Sequence, residues 1–441
     1  MSKGSRAILV VDLAFGDCGK GAVVDFLTRC CEANLIVRFN GGPQAGHNVV
    51  TDDGRHHTFS QFGSGMFVPG VRTLLSRFML IEPYAMLNEA SHLESLGVED
   101  PLGRLLIDAR CPVITPAHQA ANRLREIARG NQAHGTCGLG IGELMQDLQE
   151  QPELMIRAAE LGDRAGISRK LREIAAAKLK LVERDESQDP RAAQNLKTLT
   201  DLSWIDAAVE NYALVASRAR IVAEADVRSV LSSPGTKIFE GAQGVLLDER
   251  FGFDPHTTWS TTTFANADVL LNEAGIQTPR TRVGVLRTYF TRHGPGPFVT
   301  EDNALRTLLP EPHNDDEGWQ GPFRVGVFDA VAARYALASA GPVDMLGVTH
   351  VDRIPRLPKR ICDAYVDERN GRVIQDISEY KPEERNGRLR RCTPLYADVG
   401  AEGLLATIAR GLRSPVGLWS DGPTAKCFHL EDFGEALIAR G

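Results

Sequence analysis

The chain has 441 residues, of which 24% are charged and 43% are hydrophobic, and its formal net charge is −7 at pH 7. These values are typical of a soluble globular enzyme, and without a basic excess we expect no nucleic-acid partner. No run approaches the roughly 20 apolar residues that span a bilayer, and no signal peptide precedes the first apolar run. We therefore expect a cytoplasmic protein that binds neither membranes nor nucleic acids.

The cysteines give no sign of a metal or redox centre. None of the eight forms a C-x-x-C motif, so zinc and redox motifs are not indicated. Reduced thiols are expected in a large chain without a secretion signal. Cys18 and Cys137 stand in glycine-rich loops, but no obvious base accompanies either one, so a catalytic thiol is not favoured.

A glycine-rich turn near the N-terminus carries the first functional signal. Residues 8–11 predict a strand, residues 16–21 (G-D-C-G-K-G, the first glycine loop) follow, and a periodic run typical of a helix comes next. Glycines let backbone N–H groups converge on an anion, and the helix N-terminus favours it. The spacing is not that of G-x-x-x-x-G-K-[ST]. Bound phosphate would repel Asp17 unless this carboxylate holds Mg²⁺ or exchanges a proton.

A second strand and loop deliver a histidine. Residues 35–39 predict the strand, and residues 40–48, the second glycine loop, end in the sequence that contains His47. Loops at the carboxyl ends of neighbouring parallel strands share one crevice, so Asp17 and His47 should meet. Either loop alone could be an ordinary connection, and a lone loop histidine is usually just solvated. The two glycine loops together, in this order, are a far more specific signal of a functional site than either loop alone.

This pair of loops resembles the adenylosuccinate synthetase family, whose motifs read G-D-E-G-K-G-K and G-G-x-x-A-G-H. The chain departs from the first motif at Cys18, where Glu is usual, and at Ala22, where Lys is usual. The resemblance extends from about residue 7 to about residue 426. It implies a homodimer with a shared active site and a step in purine biosynthesis.

The overall pattern predicts an α/β fold. Strand-like runs alternate with helical ones, which indicates a mostly parallel central sheet with helices on both faces, similar to P-loop NTPases. The predicted strands are residues 8–11, 35–39, 237–239, 283–286 and 345–348. Residues 153–230 are rich in helix formers and poor in glycine, so we expect a helical insertion there within one catalytic domain that spans residues 1–441.

Further motifs extend the resemblance in the same order as in the family. Residues 240–244 read E-G-A-Q-G, and in the family this glutamine, here Gln243, contacts the purine acceptor. Thr258 falls where the family places a threonine on the acceptor phosphate. Residues 284–298 follow G-V-x-K-A-Y-x-T-R-V-G-x-G-P-F. This block contains His293, which we assign with Gln44 to acceptor binding.

Two loops depart from the family. Residues 134–142 match G-T-T-G-R-G-I-G, in which the second Thr and the Arg help to hold the nucleotide phosphate, but Cys137 and Leu139 stand in their places. The family's T-G-R-x-R-R-x-G-W loop grips the aspartate carboxylates through arginine forks. Here the corresponding stretch keeps only Arg324, and the preceding residues 313–317 are acidic. Each loop could also be a plain flexible or solvated connection.

The C-terminal part carries a base-recognition signal. Residues 349–352 match the family's T-K-L-D, with His350 in place of the lysine, and the family's Asp reads the guanine edge. Residues 419–423 resemble the S-T-G-P loop that completes the base pocket. Taken alone, Asp352 would be a mere surface carboxylate after a strand.

The resemblance thus implies a set of site residues. The catalytic residues are Asp17 as base, His47 as acid and Lys20; the GTP contacts are Gly16, Cys18, Gly19, Lys20, Gly21, His350, Asp352, Ser420 and Gly422; the acceptor contacts are Gln44, Thr136, Cys137, Gln243, Thr258 and His293; the amino acid contact is Arg324; and the Mg²⁺ ligands are Asp17 and Gly46. The arginine that the family sends across its dimer interface has no clear counterpart, and Arg157 is a shifted candidate.

Several functions remain open at this stage. The first is a GTP-dependent ligase that joins IMP and aspartate by phosphorylating the 6-oxo oxygen. The second is a paralogue of that enzyme with another acceptor or amine, which the lost arginines favour. A non-catalytic GTP-binding regulator is disfavoured because Asp17 and His47 are both present. An ordinary P-loop GTPase or kinase ranks last because Gly21 follows Lys20, where Ser or Thr is required.

Overall fold

The computed structural model describes residues 5–182, 189–311 and 318–439. Its strands are β1 (Ser5–Asp12), β2 (Ala33–Arg38), β3 (His47–Val50), β4 (His56–Phe59), β5 (Arg72–Leu75), β6 (Leu105–Asp108), β7 (Arg220–Val222), β8 (Gly235–Glu240), β9 (Arg280–Arg287), β10 (Phe290–His293), β11 (Phe323–Gly326), β12 (Met345–Thr349), β13 (Arg360–Asp367), β14 (Val373–Ile374), β15 (Cys392–Asp398), β16 (Val416–Ser420) and β17 (Phe428–Leu430).

The α-helices surround these strands. In chain order they are α1 (Lys20–Cys30), α2 (Pro83–Ser95), α3 (Pro116–Arg129), α4 (Ile141–Glu150), α5 (Arg164–Leu181), α6 (Pro190–Thr200), α7 (Ile205–Arg218), α8 (Glu224–Ser232), α9 (Ala265–Glu273), α10 (Asn303–Leu308), α11 (Ala330–Ala340), α12 (Pro382–Leu389), α13 (Leu404–Leu412) and α14 (Asp432–Ala439). In the part of the chain that is described, no helix is long and apolar enough to cross a membrane.

A ten-stranded sheet in the order β17-β16-β12-β9-β1-β8-β2-β5-β6-β7 organises the fold. All of its pairings are parallel except the last one at the edge, between β16 and β17. The predicted α/β class and all five predicted strands are confirmed. Strand β1 lies between β8 and β9, and Ile8 to Val11 are fully buried, as expected for a parallel strand that is covered on both faces.

The helical part has different limits from the predicted insertion at residues 153–230. Helices α5 and α6 pack against α3, which precedes this range, and Ala117 and Ala120 of α3 share one core with Ile167 and Leu171 of α5. Strand β7 falls inside the range but belongs to the central sheet. With three residues, it is too short to show a period in sequence.

Three small antiparallel units complete the fold: the hairpins β3–β4 and β10–β11, and a sheet of β14, β13 and β15. Both hairpins follow strands of the central sheet, β2 and β9, at their carboxyl ends. They therefore stand at the edge where ligands bind in open α/β folds.

Candidate active site

Asp12, at the end of β1, fixes the shape of the first glycine loop. Its carboxylate is 1% exposed and accepts backbone N–H bonds from Ala14 and Cys18, both at 2.8 Å. The Lys20 ammonium donates to the same carboxylate at 3.1 Å and to the Gly16 carbonyl at 2.6 Å. A buried carboxylate requires such partners, so the loop is braced from within.

The contacts of Lys20 differ from those expected, and its catalytic role stays a prediction. We expected its charge to face the phosphates, but the side chain is 1% exposed and is ion-paired with Asp12. Cys18 is also buried, and burial raises the pKa of its thiol well above the ordinary value. The contacts that the loop can offer to GTP therefore come mainly from its backbone.

Close glycine contacts bring three loops together. A Cβ added at Gly21 would lie 2.9 Å from the backbone carbonyl carbon of His47 and 2.9 Å from its Cβ, and one at Gly244 would lie 2.2 Å from the Ala14 carbonyl oxygen. Both distances are too short for a real side chain. The two glycine loops and the loop after β8 thus converge, as predicted for Asp17 and His47.

His47 is held by a buried carboxylate that the sequence analysis did not assign. Its Nδ1 lies 2.5 Å from Glu240 Oε1, and Glu240 also accepts the backbone N–H of Ser64 at 3.0 Å. Although burial opposes ionisation, the charge of Arg38 and the bonds from His47 and Ser64 lower the pKa of Glu240 to about 2. Burial lowers the pKa of His47 to about 4. The neutral ring donates from Nδ1, which leaves Nε2 for a ligand.

Asp17 faces a second histidine. Its Oδ2 lies 3.6 Å from Nε2 of His293, and both side chains are partly exposed. Burial raises the pKa of Asp17, while the charges of His293 and Arg287 oppose that rise. A carboxylate with a raised pKa next to a titratable imidazole suits a general base. The family motif has valine at the position of His293, so this pair is a feature of this chain.

A cleft of about 860 Å³ opens above these groups. Ten of the predicted site residues line it: Gly16, Asp17, Gln44, Gly46, His47, Thr136, Cys137, Gln243, Thr258 and His293. The side-chain amides of Gln44 and Gln243 have buried polar atoms without hydrogen-bond partners. Because buried polar groups are normally satisfied, these two amides are positioned to bind a ligand in the cleft.

The predicted guanine contacts lie next to the first glycine loop but outside the cleft. His350, Asp352, Ser420 and Gly422 stand at or just beyond the carboxyl ends of β12 and β16, which are neighbours in the sheet. The Thr349 hydroxyl donates to the Cys18 carbonyl at 3.0 Å and so joins this region to the loop. Asp352 is exposed and lies 3.0 Å from the Arg353 guanidinium.

Two arginines that the sequence analysis proposed for the site lie outside the cleft. Arg324 does not line the cleft; its guanidinium donates to Glu301 and to the Gly296 carbonyl, both at 2.9 Å. Glu301 forms an isolated antiparallel bridge with Gly326 of β11, and this places its carboxylate next to Arg324. Arg157 also lies outside the cleft and donates to the Arg110 carbonyl. The acidic residues 313–317 lie outside the described residues.

The structure adds a basic corner that the sequence analysis missed. Arg292 lines the cleft, is 1% exposed and donates to the Pro297 carbonyl at 2.9 Å. Arg390 lies 3.0 Å from Nε2 of His256, whose Nδ1 lies 3.0 Å from the His134 carbonyl. Since arginine only donates, His256 accepts at Nε2 and is neutral. Arg390 lies far from Arg292 in sequence, so no local motif reveals this corner.

Asp17 and Gly46 fit a magnesium ion that enters with a nucleotide. Among the described residues, no group of three or more His, Cys, Asp or Glu side chains is arranged to hold a metal. Mg²⁺ is commonly held by one or two carboxylates together with substrate phosphates and water. One partly exposed carboxylate and the carbonyl of an exposed glycine, both lining the cleft, are a suitable donor set.

Comparison with known proteins identifies the family. A family model described as adenylosuccinate synthetase matches residues 9–403. An adenylosuccinate synthetase from Dehalococcoides mccartyi is 32% identical over 393 residues, which is 88% of this chain and 87% of the relative. One from Nitrosomonas eutropha is 31% identical over 435 residues and covers 95% of this chain and 96% of the relative.

Solved structures share the fold. A fully ligated adenylosuccinate synthetase from Plasmodium falciparum aligns with a TM-score of 0.76 at 22% identity, over 96% of this chain and 99% of that one. The succinoaminodeoxyadenylate synthetase of cyanophage S-2L, bound to dGMP and dATP, aligns with a TM-score of 0.59 at 19% identity, over 99% of each chain. At these identities the similarity concerns the fold alone.

Proposed function

Because the chain belongs to the adenylosuccinate synthetase family, we propose that it uses GTP to phosphorylate the carbonyl oxygen of a 6-oxopurine and then replaces that oxygen with an amine nitrogen. The prediction of a GTP-dependent C–N ligase is confirmed at the level of the family. The substrates named here, GTP, a 6-oxopurine such as IMP, and an amino acid such as aspartate, are part of the proposal.

The observation that carries the proposal is the pairing of Asp17 and His47 in one cleft, with His47 held by Glu240. A carbonyl oxygen bonded to a conjugated ring carbon is a poor leaving group. Removal of the neighbouring ring N–H proton by Asp17 makes the oxygen nucleophilic toward the γ-phosphorus of GTP. The buried amides of Gln44 and Gln243 would orient the purine.

His47 supports the transfer of the phosphoryl group. With Nδ1 bound to Glu240, its Nε2 is directed to a ligand and would bind the transferring phosphoryl group as GDP leaves. Asp17 and Gly46 would hold Mg²⁺ together with the phosphates, and the ion would neutralise part of the phosphate charge. The amine then adds to the ring carbon, inorganic phosphate departs with the former carbonyl oxygen, and the amine loses one proton.

The amine donor carries an acid group in this proposal, as aspartate does. In the basic corner, Arg292 and the neutral His256 line the cleft and Arg390 contacts His256. A guanidinium fork binds carboxylates. This corner would replace the arginine-rich loop of the family, since Arg324 is engaged with Glu301. A paralogue with another acceptor or amine would use the same chemistry.

We also propose that the chain forms a homodimer and that it is cytoplasmic.

The direct test is phosphate release from GTP by the purified chain with Mg²⁺. IMP with aspartate should be compared with a panel of purine nucleotides, nucleosides and amino acids. The proposal expects release that depends on both an acceptor and an amine. Release without any acceptor would indicate a simple GTPase. GTP binding without release against every pair would indicate the non-catalytic regulator.

A further inference from the structure

Building on the proposed function, we infer that His293 is the base that removes a proton from the amine donor, so that the nitrogen of the donor can attack the phosphorylated acceptor. In the proposed reaction, Asp17 takes the proton of the acceptor ring and His47 binds the transferring phosphoryl group. The amine needs a base of its own. His293 lines the same cleft and lies next to Asp17.

The amine donor must lose a proton before it can react. An aliphatic amine is an ammonium ion at neutral pH, because the pKa of such a group is about 10, and an ammonium ion has no lone pair. When Nε2 of His293 takes one proton, the freed lone pair forms the bond to the ring carbon, and the bond from that carbon to oxygen breaks with its electron pair on the oxygen. A second proton of the nitrogen goes to the departing phosphate, which leaves as hydrogen phosphate. His293 then passes its proton to water.

His293 lies beside the carboxylate that marks the reacting ring. Its Nε2 is 3.6 Å from Oδ2 of Asp17, and both side chains are partly exposed. In the proposed reaction Asp17 contacts the ring N–H, and the carbon that the amine attacks is bonded to that same ring nitrogen. The hydrogen bonds of a catalytic base shorten when the substrate binds. An amine that approaches this carbon therefore comes within reach of His293.

The same histidine is adjacent to the basic corner, where the acid group of the donor would bind. His293 directly follows Arg292 in β10, and both residues line the cleft. Arg292 donates to the His256 carbonyl at 3.4 Å, and Arg390 contacts the His256 ring. A donor that is held by this corner and reacts beside Asp17 has its nitrogen next to His293.

The β10–β11 hairpin holds the imidazole in place. His293 is paired across the two strands with Phe323, and the two rings are 4.8 Å apart between centroids. The next residue, Gly294, donates its N–H to the Pro322 carbonyl at 3.1 Å. Gly294 has a φ of +72°, and a Cβ there would lie 2.4 Å from the Gln320 carbonyl oxygen. This close contact fixes the end of β10, which carries the proposed base.

Three more histidines of the described residues line the cleft, and each is less suited to this role. His47 is bound to Glu240, and burial lowers its pKa to about 4, so it is a weak base. His256 already accepts a hydrogen bond at Nε2 from Arg390. Burial also lowers the pKa of His134, which makes it a weaker base than an ordinary histidine.

The test separates the two steps of the reaction in the wild-type chain and in His293→Val, with IMP and aspartate or the active pair found in the panel. The first step is followed without the amine, using GTP that carries ¹⁸O at the bridge between its β- and γ-phosphorus atoms. Reversible transfer of the γ-phosphoryl group then moves the label to a non-bridging position. Phosphate release with the amine present reports the second step. Both are measured above the acid limb of each protein, where Asp17 is ionised.

We expect label exchange in His293→Val to stay within about twofold of the wild type and amine-dependent phosphate release to fall about 100-fold, which is typical for the loss of a general base. A parallel loss of both steps, or no loss in either, would overturn the inference. His92→Gln is the matched control, because His92 is an exposed histidine of α2 that does not line the cleft. This control should leave both steps unchanged.

A second variant and a second amine exclude a merely structural effect. His293→Gln keeps a polar side chain but cannot take a proton, so it should show the same selective loss of the second step. Hydroxylamine is a weaker base than an aliphatic amine and is largely neutral at neutral pH. The ratio of wild-type to variant phosphate release should fall from about 100 with aspartate to about 1 with hydroxylamine. The same ratio for both amines would overturn the inference.

The proposed function and the inference fail in different ways. If no pair of acceptor and amine releases phosphate with the wild-type chain, the proposed function is wrong and the inference falls with it. If the wild type turns over and His293→Val shows no selective loss of the second step, the inference alone is wrong.

Discussion

The chemistry of this protein depends on a few side chains whose charge is set by burial and neighbours. Asp17 has a raised pKa because it is desolvated, and His293 opposes that rise from 3.6 Å. His47 is kept neutral by burial and is oriented by Glu240. A base and a hydrogen-bonding imidazole of controlled protonation are what phosphorylation of a carbonyl oxygen requires.

The His293→Val substitution should change the pH dependence of turnover. The positive charge of His293 lowers the pKa of Asp17, so its removal should raise that pKa further. Asp17 must be ionised to act as base, and the acid limb of kcat/KM should therefore move to higher pH. The profile should be measured with saturating GTP. His293→Gln should shift it in the same direction, and an unchanged acid limb in both variants would contradict the assigned interaction.

The Glu240→Gln substitution should weaken the hydrogen bond that orients His47. We expect at least a tenfold loss of kcat, of the order seen when a partner that orients a histidine is removed. Glu89→Gln is the matched control, because Glu89 is a buried carboxylate that accepts the N–H groups of Ser60 and Gln61, both at 2.8 Å. This control should lower stability without the same loss of kcat. Equal losses in both variants would indicate only a structural role for Glu240.

Acid should lower the free energy of unfolding through the pair of Glu240 and His47. The pKa of Glu240 is lowered from 4.5 to about 2, so its contribution to stability is present above pH 4.5 and is lost as the pH falls toward 2. The pKa of His47 is lowered from 6.5 to about 4. Since the unfolded chain then binds more protons, stability also falls as the pH drops from 6.5 to 4.

At the scale of elements, the site depends on how closely hairpin β3–β4 approaches helix α1. Gly21 in α1 allows this contact, because a Cβ there would lie 2.9 Å from His47. Gly411 in α13 has no neighbouring atoms within 4 Å of such a Cβ. The two helical glycines thus differ in their surroundings and can be compared directly.

Gly411 lies in the last turn of α13, and Gly411→Ala should stabilise the protein by about 0.4–1 kcal/mol, because alanine lowers the conformational entropy of the unfolded chain. Gly21→Ala should instead lower the free energy of unfolding and displace His47, at a cost of about 100-fold in kcat for a shift near 1 Å. Urea unfolding and steady-state turnover of both variants check this. If Gly21→Ala behaves like Gly411→Ala, the contact does not position His47.

Sequence reasoning succeeded for elements with a strong local signal. The five predicted strands are mostly apolar runs, although Arg38 and Lys237 stand in two of them. Such runs are typical of parallel strands that are buried on both faces, and all five are found. The helical part was only approximately located, because α3 lies before the glycine-rich loop and joins α5 and α6 only through tertiary packing. Strand β7 has three residues and no periodic signal.

The sequence predicted the site residues whose place follows from their position in a loop. It did not predict which charged side chains form ion pairs with each other. Asp17 and His47 follow from strand and loop order. Lys20 and Arg324 were assigned to ligands, but Asp12 and Glu301 bind them in the structure. Those partners are recognisable only once β1 and the β10–β11 hairpin are folded. The role of Glu240 was missed although its motif was recognised, because only packing shows that it reaches His47.

At the scale of the whole molecule, the family predicts a homodimer. The chain has a mass of 48.1 kDa, and sedimentation velocity or light scattering at micromolar concentration should give twice this value. Dilution should lower turnover once dimers dissociate, if the partner completes the active site. A monomer with full turnover at all concentrations would contradict the predicted shared site.

The central claim is that GTP phosphorylates the carbonyl oxygen that the amine later replaces. The most direct measurement uses a 6-oxopurine acceptor labelled with ¹⁸O at its carbonyl and follows the label by mass spectrometry, with Asp17→Asn as the inactive control. The account predicts one ¹⁸O atom in each inorganic phosphate released by the wild-type chain. Phosphate released without the label would mean that water attacks GTP, and it would contradict the account.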